Sequence, residues 1–153
     1  MNSSKFLEGS SELLPYCHDL WDLFIQNQIQ NAGEMSDSIS TYLHSQYNDG
    51  LVAKTSDGKL HIQLVYPSNK DNPIGFCITS LSNNGIGEVE ALYILDKDRG
   101  NNLGTKLLQR SLQWMKEHNA LEQKLIVAAG NEQVFSFYQK FRFYPGYTAL
   151  FRV

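Results

Sequence analysis

The first third of the chain has the spacing of two amphipathic helices. Between Ser10 and about Asn31 apolar residues recur every three or four positions, with serines before them as caps and Gly33 after them as a stop signal. A second, weaker pattern runs from about Ser36 to Asn48 and ends at Asp49-Gly50. We therefore predict two helices here and see no obvious strand in Met1 to Ser10.

The middle of the chain changes to runs of β-forming residues, which predict strands. The predicted strands are Leu51–Lys54, Leu60–Tyr66, Ile74–Leu81 and Glu88–Leu95. Turn sequences separate them, with Ser56-Asp57-Gly58 after the first strand and Ser82-Asn83-Asn84-Gly85 after the third. Each turn predicts a hairpin.

The last third alternates between the two patterns. Leucines from Leu103 onward predict a helix that ends near His118-Asn119, and Leu125–Ala129 has the apolar character of a strand covered on both faces. Gly130-Asn131 then opens another helix, and Tyr147–Val153 predicts a final strand. The order α-α-β-β-β-β-α-β-α-β predicts one α/β domain over residues 1–153 with a mixed sheet flanked by helices.

Composition narrows the class of protein. The chain has 153 residues, 42% of them apolar, and a net charge of −3, which fits a folded domain rather than a disordered chain. No apolar stretch approaches the roughly 20 residues of a membrane span, and the N-terminus lacks the apolar core of a secretion signal. Two isolated cysteines, Cys17 and Cys77, support neither a disulfide framework nor a zinc site. We expect a cytoplasmic protein without a metal.

Charge is divided unevenly along the chain. Residues 1–50 carry seven acidic residues and one basic residue, a net charge of −6, whereas the remainder carries +3. This asymmetry fits either solvent-facing helices or two partners of opposite charge. The overall acidity argues against a nucleic-acid-binding protein, which is usually basic.

The segment Arg99–Thr105 carries the clearest chemical signal. It lies between a predicted strand and a predicted helix, and small residues at a helix start let unpaired backbone N–H groups bind a phosphate. Two common phosphate motifs are absent: Gly104 is followed by Thr105-Lys106 rather than by the Lys-Ser/Thr of a P-loop, and no G-x-G-x-x-G occurs.

Two motifs in this half of the chain resemble the GNAT superfamily of N-acetyltransferases. Arg99-x-x-Asn102-x-Gly104 resembles its pyrophosphate signature [Gln/Arg]-x-x-Gly-x-[Gly/Ala], with Asn102 in place of the usual glycine. Asn131–Phe143 is similar to the family's C-terminal Asn-x-x-Ala-x-x-Phe-Tyr-x-Lys-x-Gly-Phe pattern, with Arg142 in place of its glycine. Asparagine tolerates a left-handed conformation better than most residues, so we expect the loop to form.

The resemblance implies acetyl-CoA as co-substrate, bound where two parallel central strands, Glu88–Leu95 and Lys124–Ala129, move apart. It implies that the pantetheine arm pairs with the backbone of Leu92, Tyr93 and Ile94. It also implies that the pyrophosphate binds the loop and helix start, and that Asn131 and Tyr138 face the cofactor. The implied loop residues are Arg99, Gly100, Asn101, Asn102, Leu103, Gly104 and Thr105. Asn131 has a second interpretation, as the cap of its own helix.

The resemblance also implies an acid and a base for direct attack of an amine on the thioester. Tyr138 occupies the family's tyrosine position and is the candidate acid, with a core aromatic as the alternative. Glu90 is the candidate base in preference to Glu88, and alternation along a strand places both on one face. The alternative for Glu90 is a structural or solvent-exposed carboxylate.

The chemical class of the acceptor follows less directly from the sequence. In proteins of this family the first two helices form a wall of the acceptor site, and here that part is strongly acidic, which favours a small cationic amine. Two alternatives remain open: a non-catalytic acyl-CoA-binding domain, and acetylation of a basic protein or peptide. The resemblance also allows a homodimer, since small proteins of this fold often pair.

Overall fold

A five-stranded mixed sheet with the order β1-β2-β3-β4-β5 forms the centre of the molecule. The computed structural model describes residues 3–56, 58–69 and 71–153. The first four strands pair antiparallel and β5 pairs with β4 in parallel, which confirms the predicted mixed sheet. The strands are β1 (Ser4–Gly9), β2 (Lys59–Pro67), β3 (Gly75–Leu81), β4 (Ile86–Ile94) and β5 (Glu122–Leu125).

Helices cover both faces of this sheet. They are α1 (His18–Ile29), α2 (Ser36–Ser45), α3 (Leu51–Lys54), α4 (Leu103–Glu117) and α5 (Phe135–Gln139). A 3-10 turn at Ser11–Cys17 leads into α1, and a π-turn at Gln46–Gly50 joins α2 to α3. None of the helices in the described ranges is both long enough and apolar enough to cross a membrane.

Trp21 is at the centre of the core on the face covered by α1. It is only 2% exposed, and its ring lies 5.1 Å from Phe24, 5.4 Å from Tyr47 and 5.9 Å from Phe76, measured between centroids. Its Nε1 donates to the carbonyl of Leu43 at 3.0 Å. Trp21 thus joins α1, α2 and β3 through one buried side chain.

A second apolar core lies on the opposite face, under α4. Leu107, Leu108 and Met115 are fully buried there, at the helical spacing that the sequence predicts. Cys77 and Val89 of the sheet face them, while neighbouring strand residues point to the other core. The sheet therefore separates two hydrophobic cores.

Two predictions in the first half of the chain are wrong. The structure forms β1 at Ser4–Gly9, where the sequence showed no obvious strand. Apolar and polar residues alternate only weakly in this segment, but its backbone pairs with β2 and becomes the edge strand of the sheet. Leu51–Lys54 is helix rather than strand. Gly50 has helical angles, φ −62° and ψ −43°, so the chain continues through the expected stop. Asp57, in the predicted first hairpin turn, lies outside the described residues, and no hairpin forms because a helix precedes it.

Two predictions at the other end are also wrong. β5 ends at Leu125, and Ile126 is 72% exposed, so Leu125–Ala129 is not a strand covered on both faces. Tyr147–Val153 has no regular structure and is exposed. An apolar run forms a buried strand only where other elements cover both its faces, and here Leu125, Val127 and Ala128 are only half-buried while Tyr147–Val153 is exposed. By contrast, the turn at Ser82–Gly85 is confirmed, with the Gly85 N–H donating to the Ser82 carbonyl at 3.0 Å.

Candidate active site

The two parallel strands move apart near the middle of β4. Their pairing runs from Ile86 opposite Glu122 to Val89 opposite Leu125, where β5 ends. β4 continues to Ile94, so its edge beyond Val89 has no neighbouring strand within the described chain. A cleft of about 440 Å³ opens here between β4, the start of α4, α5 and one side of α1.

The loop before α4 has the geometry of an anion site. Gly100 has φ +88° and Asn102 has φ +59°, so the expectation that asparagine accepts the left-handed conformation is confirmed. The first intrahelical bond runs from the Lys106 N–H to the Asn102 carbonyl at 3.0 Å. The preceding amides, at Leu103, Gly104 and Thr105, therefore have no helical acceptor and carry the positive end of the helix dipole.

Most of the residues that the resemblance assigns to the cofactor line this one cleft. They are Leu92, Tyr93, Ile94, Arg99, Gly100, Asn102, Leu103, Gly104, Thr105, Asn131 and Tyr138. Asn101 lies outside it, because its side-chain Nδ2 turns back to the carbonyl of Asp98 at 3.4 Å. The structure thus brings together three segments that are separated by up to 46 positions in the sequence.

Arg99 contacts the end of β4. Its Nε donates to the Ile94 carbonyl at 2.9 Å and its Nη1 lies 2.6 Å from Asp96 Oδ1. The guanidinium also lies 5.4 Å from the centre of the Tyr93 ring. These contacts fix the strand-to-loop corner, and they occupy the Ile94 carbonyl that the resemblance assigns to the pantetheine arm.

Asn131 does not cap the helix that follows it. It occupies the N-cap position of the 3-10 turn before α5, but no side-chain capping bond forms, and its Oδ1 accepts from Gln133 Nε2. Gly130 next to it has φ +83°, and a Cβ there would lie 1.8 Å from the Asn31 carbonyl oxygen. The backbone of the loop before α5 therefore packs directly against the chain that follows α1, and only a glycine fits there.

Glu90 is the acidic side chain of β4 that lines the cleft, whereas Glu88 does not line it. The register of β3 and β4 shifts between Ile78 and Thr79, which leaves Glu90 as the extra residue of a β-bulge. Glu90 Oε2 accepts a hydrogen bond from Ser80 Oγ at 2.6 Å and lies 2.7 Å from Lys54 Nζ. Burial, together with the charge of Glu88, raises the pKa of Glu90, and these two contacts oppose that rise.

Tyr138 reaches the same cleft from α5. Its ring packs on Phe137 at 5.1 Å and on Phe143 at 6.2 Å. Burial raises the pKa of its phenol well above the usual range, with a further contribution from Cys77, so the phenol keeps its proton. Burial also raises the pKa of the Cys77 thiol to about 12, which makes it a neutral, unreactive group.

Several cleft residues were missed by the sequence analysis. Asn27 and Gln28 line the cleft from the last turn of α1, and Lys140 lines it just after Tyr138. Lys140 lies inside the C-terminal motif, so its charge was a usable signal for an anionic ligand. Lys54, which contacts Glu90 without lining the cleft, had no signal, since it belongs to a segment that the sequence predicted as a strand. No three metal-ligating side chains cluster in the chain as described.

A larger cleft, of about 910 Å³, lies next to His61, Trp114 and His118. The His61 ring stacks on Trp114 at 5.1 Å, and His61 Nε2 lies 3.2 Å from Glu8 Oε2. The residues that the sequence singled out do not line it. The smaller cleft therefore remains the candidate active site.

Comparison with known proteins gives a consistent result. The profile of the acetyltransferase (GNAT) family matches residues 19–143. No curated protein matches the sequence. A putative acetyl transferase from Pyrococcus furiosus has a similar structure, with a TM-score of 0.69, 14% identity and coverage of 97% of this chain and 99% of that one.

Two further structures contain coenzyme A. PaiA N-acetyltransferase from Thermoplasma acidophilum, in complex with coenzyme A, has a TM-score of 0.64 at 21% identity, covering 90% of this chain and 87% of that one. Aminoglycoside N-acetyltransferase AAC(6')-Iy, in complex with CoA, has a TM-score of 0.62 at 13% identity, covering 100% and 95%. These similarities establish the fold, and the profile match, which spans most of the sequence, establishes the family. The chain therefore belongs to the GNAT family of acetyltransferases.

Proposed function

We propose that this protein transfers an acetyl group from acetyl-CoA to a primary amine by direct attack in a ternary complex. The observation that carries the proposal is one cleft that joins an anion-binding helix start, an unpaired strand edge, a buried carboxylate and a protonated phenol. Each of these groups matches one requirement of the reaction, and no other cleft described above combines them.

The cofactor's pyrophosphate fits the start of α4. The amides of Leu103, Gly104 and Thr105 donate to its oxygens, and the helix dipole favours its charge. Lys140 adds a cation to the cleft lining. The amide groups of the pantetheine arm pair with the backbone of Leu92 on the open edge of β4, in place of the strand that β5 does not provide.

The acetyl group then lies between Glu90 and Tyr138. Glu90 takes one proton from the acceptor ammonium, and the neutral amine attacks the thioester carbonyl carbon, so that a C–N bond forms. When the C–S bond breaks, Tyr138 donates its phenolic proton to the departing sulfur and recovers a proton from the new amide nitrogen. Its raised pKa keeps the resting phenol protonated, and the transfer to sulfur is driven by the proton that returns at the same time from the cationic amide nitrogen.

A small cationic amine is the proposed acceptor. Residues 1–50, which include α1 and α2, carry a net charge of −6. Asn27 and Gln28 of α1 supply neutral hydrogen-bonding groups to the cleft. The negative charge of this part of the chain raises the local concentration of a cation near the cleft.

The first prediction concerns Tyr138→Phe. In a panel of polyamines, amino sugars, an aminoglycoside and basic peptides, with free thiol as the readout, we expect the wild type to acetylate small amines. The variant should lose about 10²-fold or more in kcat, the typical contribution of a positioned acid. Its affinity for acetyl-CoA should be unchanged, since the ring remains.

Three results would contradict the proposal in different ways. Equal turnover in the variant would exclude Tyr138 as the acid. Binding of acetyl-CoA without turnover on any amine would favour a non-catalytic binding domain. Activity confined to basic peptides, and strongly weakened by salt, would favour a protein substrate.

The second prediction concerns Gly104→Ala. A methyl group at Gly104 would lie 3.8 Å from Phe137 Cζ, which is an ordinary contact, and this glycine does not have a positive φ. We expect the free variant to be as stable as the wild type or about 0.4–1 kcal/mol more stable. Its methyl group would obstruct a phosphate at the helix start, so affinity for acetyl-CoA should fall roughly 10–100-fold, the cost of one charge-assisted hydrogen bond.

Thermal unfolding with and without acetyl-CoA measures both effects together. At about 100 times the dissociation constant the ligand should add about 2.7 kcal/mol to the wild type. The variant should show a smaller rise in melting temperature at the same concentration, and free adenosine should produce none in either protein. An equal rise in both proteins would place the pyrophosphate elsewhere.

A further inference from the structure

Two acidic side chains of β4 share one lysine from the layer of helices above them. Lys54, the last residue of α3, places its Nζ 2.9 Å from Glu88 Oε1 and 2.7 Å from Glu90 Oε2. The carboxylate side chains are 7% and 6% exposed, and the lysine side chain is 36% exposed. Lys124 of β5 reaches only Glu88, at 3.8 Å.

The charges in this group depend on one another. Burial raises the pKa of Glu90, the charge of Glu88 raises it further, and hydrogen bonds from Lys54 and Ser80 lower it. Burial alone would lower the pKa of Lys54, but the two carboxylates outweigh burial and raise it. The lysine therefore stays charged, and it opposes the rise that burial causes in the pKa of Glu90.

The contacts also fix the orientation of the Glu90 carboxylate. Both of its hydrogen bonds to described residues end on one oxygen: Ser80 Oγ donates to Oε2 at 2.6 Å, and Lys54 Nζ lies 2.7 Å from the same atom. Oε1 accepts from none of the described residues. Because Glu90 lines the cleft, this second oxygen is left for a ligand.

We propose that Lys54 is a positioning residue of the transfer reaction, whose ammonium holds Glu90 Oε2 so that Oε1 can accept the proton of the acceptor amine. This inference rests on the proposed function, because it assumes that Glu90 is the base. Lys54 itself does not line the cleft, so its effect on the reaction passes through Glu90.

A consequence for acceptor binding follows from the charges. Lys54 and Lys124 offset the charges of Glu88 and Glu90, so the carboxylate pair attracts a cation only weakly. Attraction of a cationic acceptor must then come from acidic side chains elsewhere, and α1 and α2 carry them. In this proposal Glu90 accepts the proton, and the acidic residues of the helices attract the cationic acceptor from a distance.

The test uses three variants that separate charge from shape. Lys54→Met keeps the length of the side chain without its charge, Lys54→Arg keeps the charge, and Lys124→Met removes a cation that contacts Glu88 but not Glu90. The readout is the pKa of the Glu90 carboxyl, measured by ¹³C NMR titration of protein labelled at glutamate Cδ and assigned with Glu90→Gln. The pH profile of kcat/KM on the best amine is the second readout.

We expect the pKa of Glu90 to rise by about one to three pH units in Lys54→Met, the usual effect of removing an opposite charge in contact. It should change little in Lys54→Arg and Lys124→Met. The acid limb of the kcat/KM profile should move to higher pH by the same amount. An unchanged Glu90 titration in Lys54→Met would overturn the proposal, as would an equal rise in Lys124→Met.

A second measurement remains decisive if Lys54→Met fails to fold. The Lys54 ammonium can be titrated through its ¹³Cε signal in the wild type and in Glu90→Gln, and its pKa should fall when the carboxylate is lost. No fall would overturn the proposal. Neither titration needs turnover, so loss of the Lys54–Glu90 contact and failure of the proposed reaction are separate results.

Discussion

Replacing Glu90 with glutamine is expected to lower kcat by about 10²–10⁴-fold, the range that general bases typically contribute. The amide keeps the size of the side chain and can still accept from Ser80, so the bulge and the cleft should persist. It cannot take a proton from the acceptor ammonium. Affinity for acetyl-CoA, measured by calorimetry, should be close to that of the wild type.

Glu88→Gln provides the matched control. It removes the same charge from the same strand, two residues away, and Glu88 also contacts Lys54. Because Glu88 does not line the cleft, we expect a far smaller loss of turnover. Equal losses in the two variants would mean that the pair acts through its charge on Lys54 and that neither residue is the base.

The pH dependence has a defined sign. A base is active only when it is deprotonated, so kcat/KM should fall as pH drops through the pKa of Glu90. Burial and Glu88 raise that pKa above its ordinary value of 4.5, which moves the acid limb toward neutral pH. In Glu90→Gln this limb should disappear.

The largest effect on stability is expected from Trp21→Ala, at about 3–5 kcal/mol in the free energy of unfolding. The substitution removes a fully buried ring from contact with Phe24, Tyr47 and Phe76, together with the hydrogen bond that Trp21 Nε1 donates to the Leu43 carbonyl. Native proteins have only about 5–15 kcal/mol in total, so the variant should unfold at a much lower urea concentration.

Trp114→Ala is the control for the loss of a tryptophan. Its ring is only partly buried and packs on His61 and His118 at the other face of the sheet. We expect a clearly smaller cost. Trp21→Phe should cost about 1 kcal/mol for the hydrogen bond plus some loss of packing. A cost below about 1 kcal/mol for Trp21→Ala would contradict the packing described for this core.

Local periodicity predicted the helices well where one face is covered along its whole length. The apolar stripe of α4 contacts the sheet through Leu107, Leu108 and Met115, and its predicted end near His118 is correct within one residue. The same reasoning failed at Gly50. A glycine ends a helix only when the chain turns there. Here the chain continues in helical conformation through Gly50, and the next residue, Leu51, is buried in the core.

The apolar residues near the end of the chain show a second limit. The β-forming residues of Leu125–Ala129 and Tyr147–Val153 favour strands, but local sequence does not indicate whether a neighbouring strand is available for pairing. Pairing decides that question, and β5 pairs only as far as Leu125. The same shortfall of pairing forms the cleft, so the wrong strand boundary and the candidate site have one cause.

The part of the candidate site that we propose for the cofactor was predictable from the sequence, and the part that we propose for the acceptor was predictable only partly. Arg99–Thr105 and Asn131–Tyr138 are continuous motifs, so their spacing is visible in the sequence. The contact between Lys54 and Glu90 joins residues 36 positions apart and depends on a π-turn and a bulge, neither of which has a clear sequence signal. Contacts of this kind are decided by tertiary packing.

The separation of the two cores by the sheet bears on how the protein can diversify. The loop that we propose to bind the pyrophosphate continues into α4 on one core, whereas the wall with Asn27 and Gln28 belongs to α1 on the other. Substitutions at distant sites that share no partners usually contribute independently. Substitutions in the part of α1 that faces away from the cleft should thus leave the loop before α4 undisturbed, so that the two walls of the candidate site can vary separately, one mutation at a time.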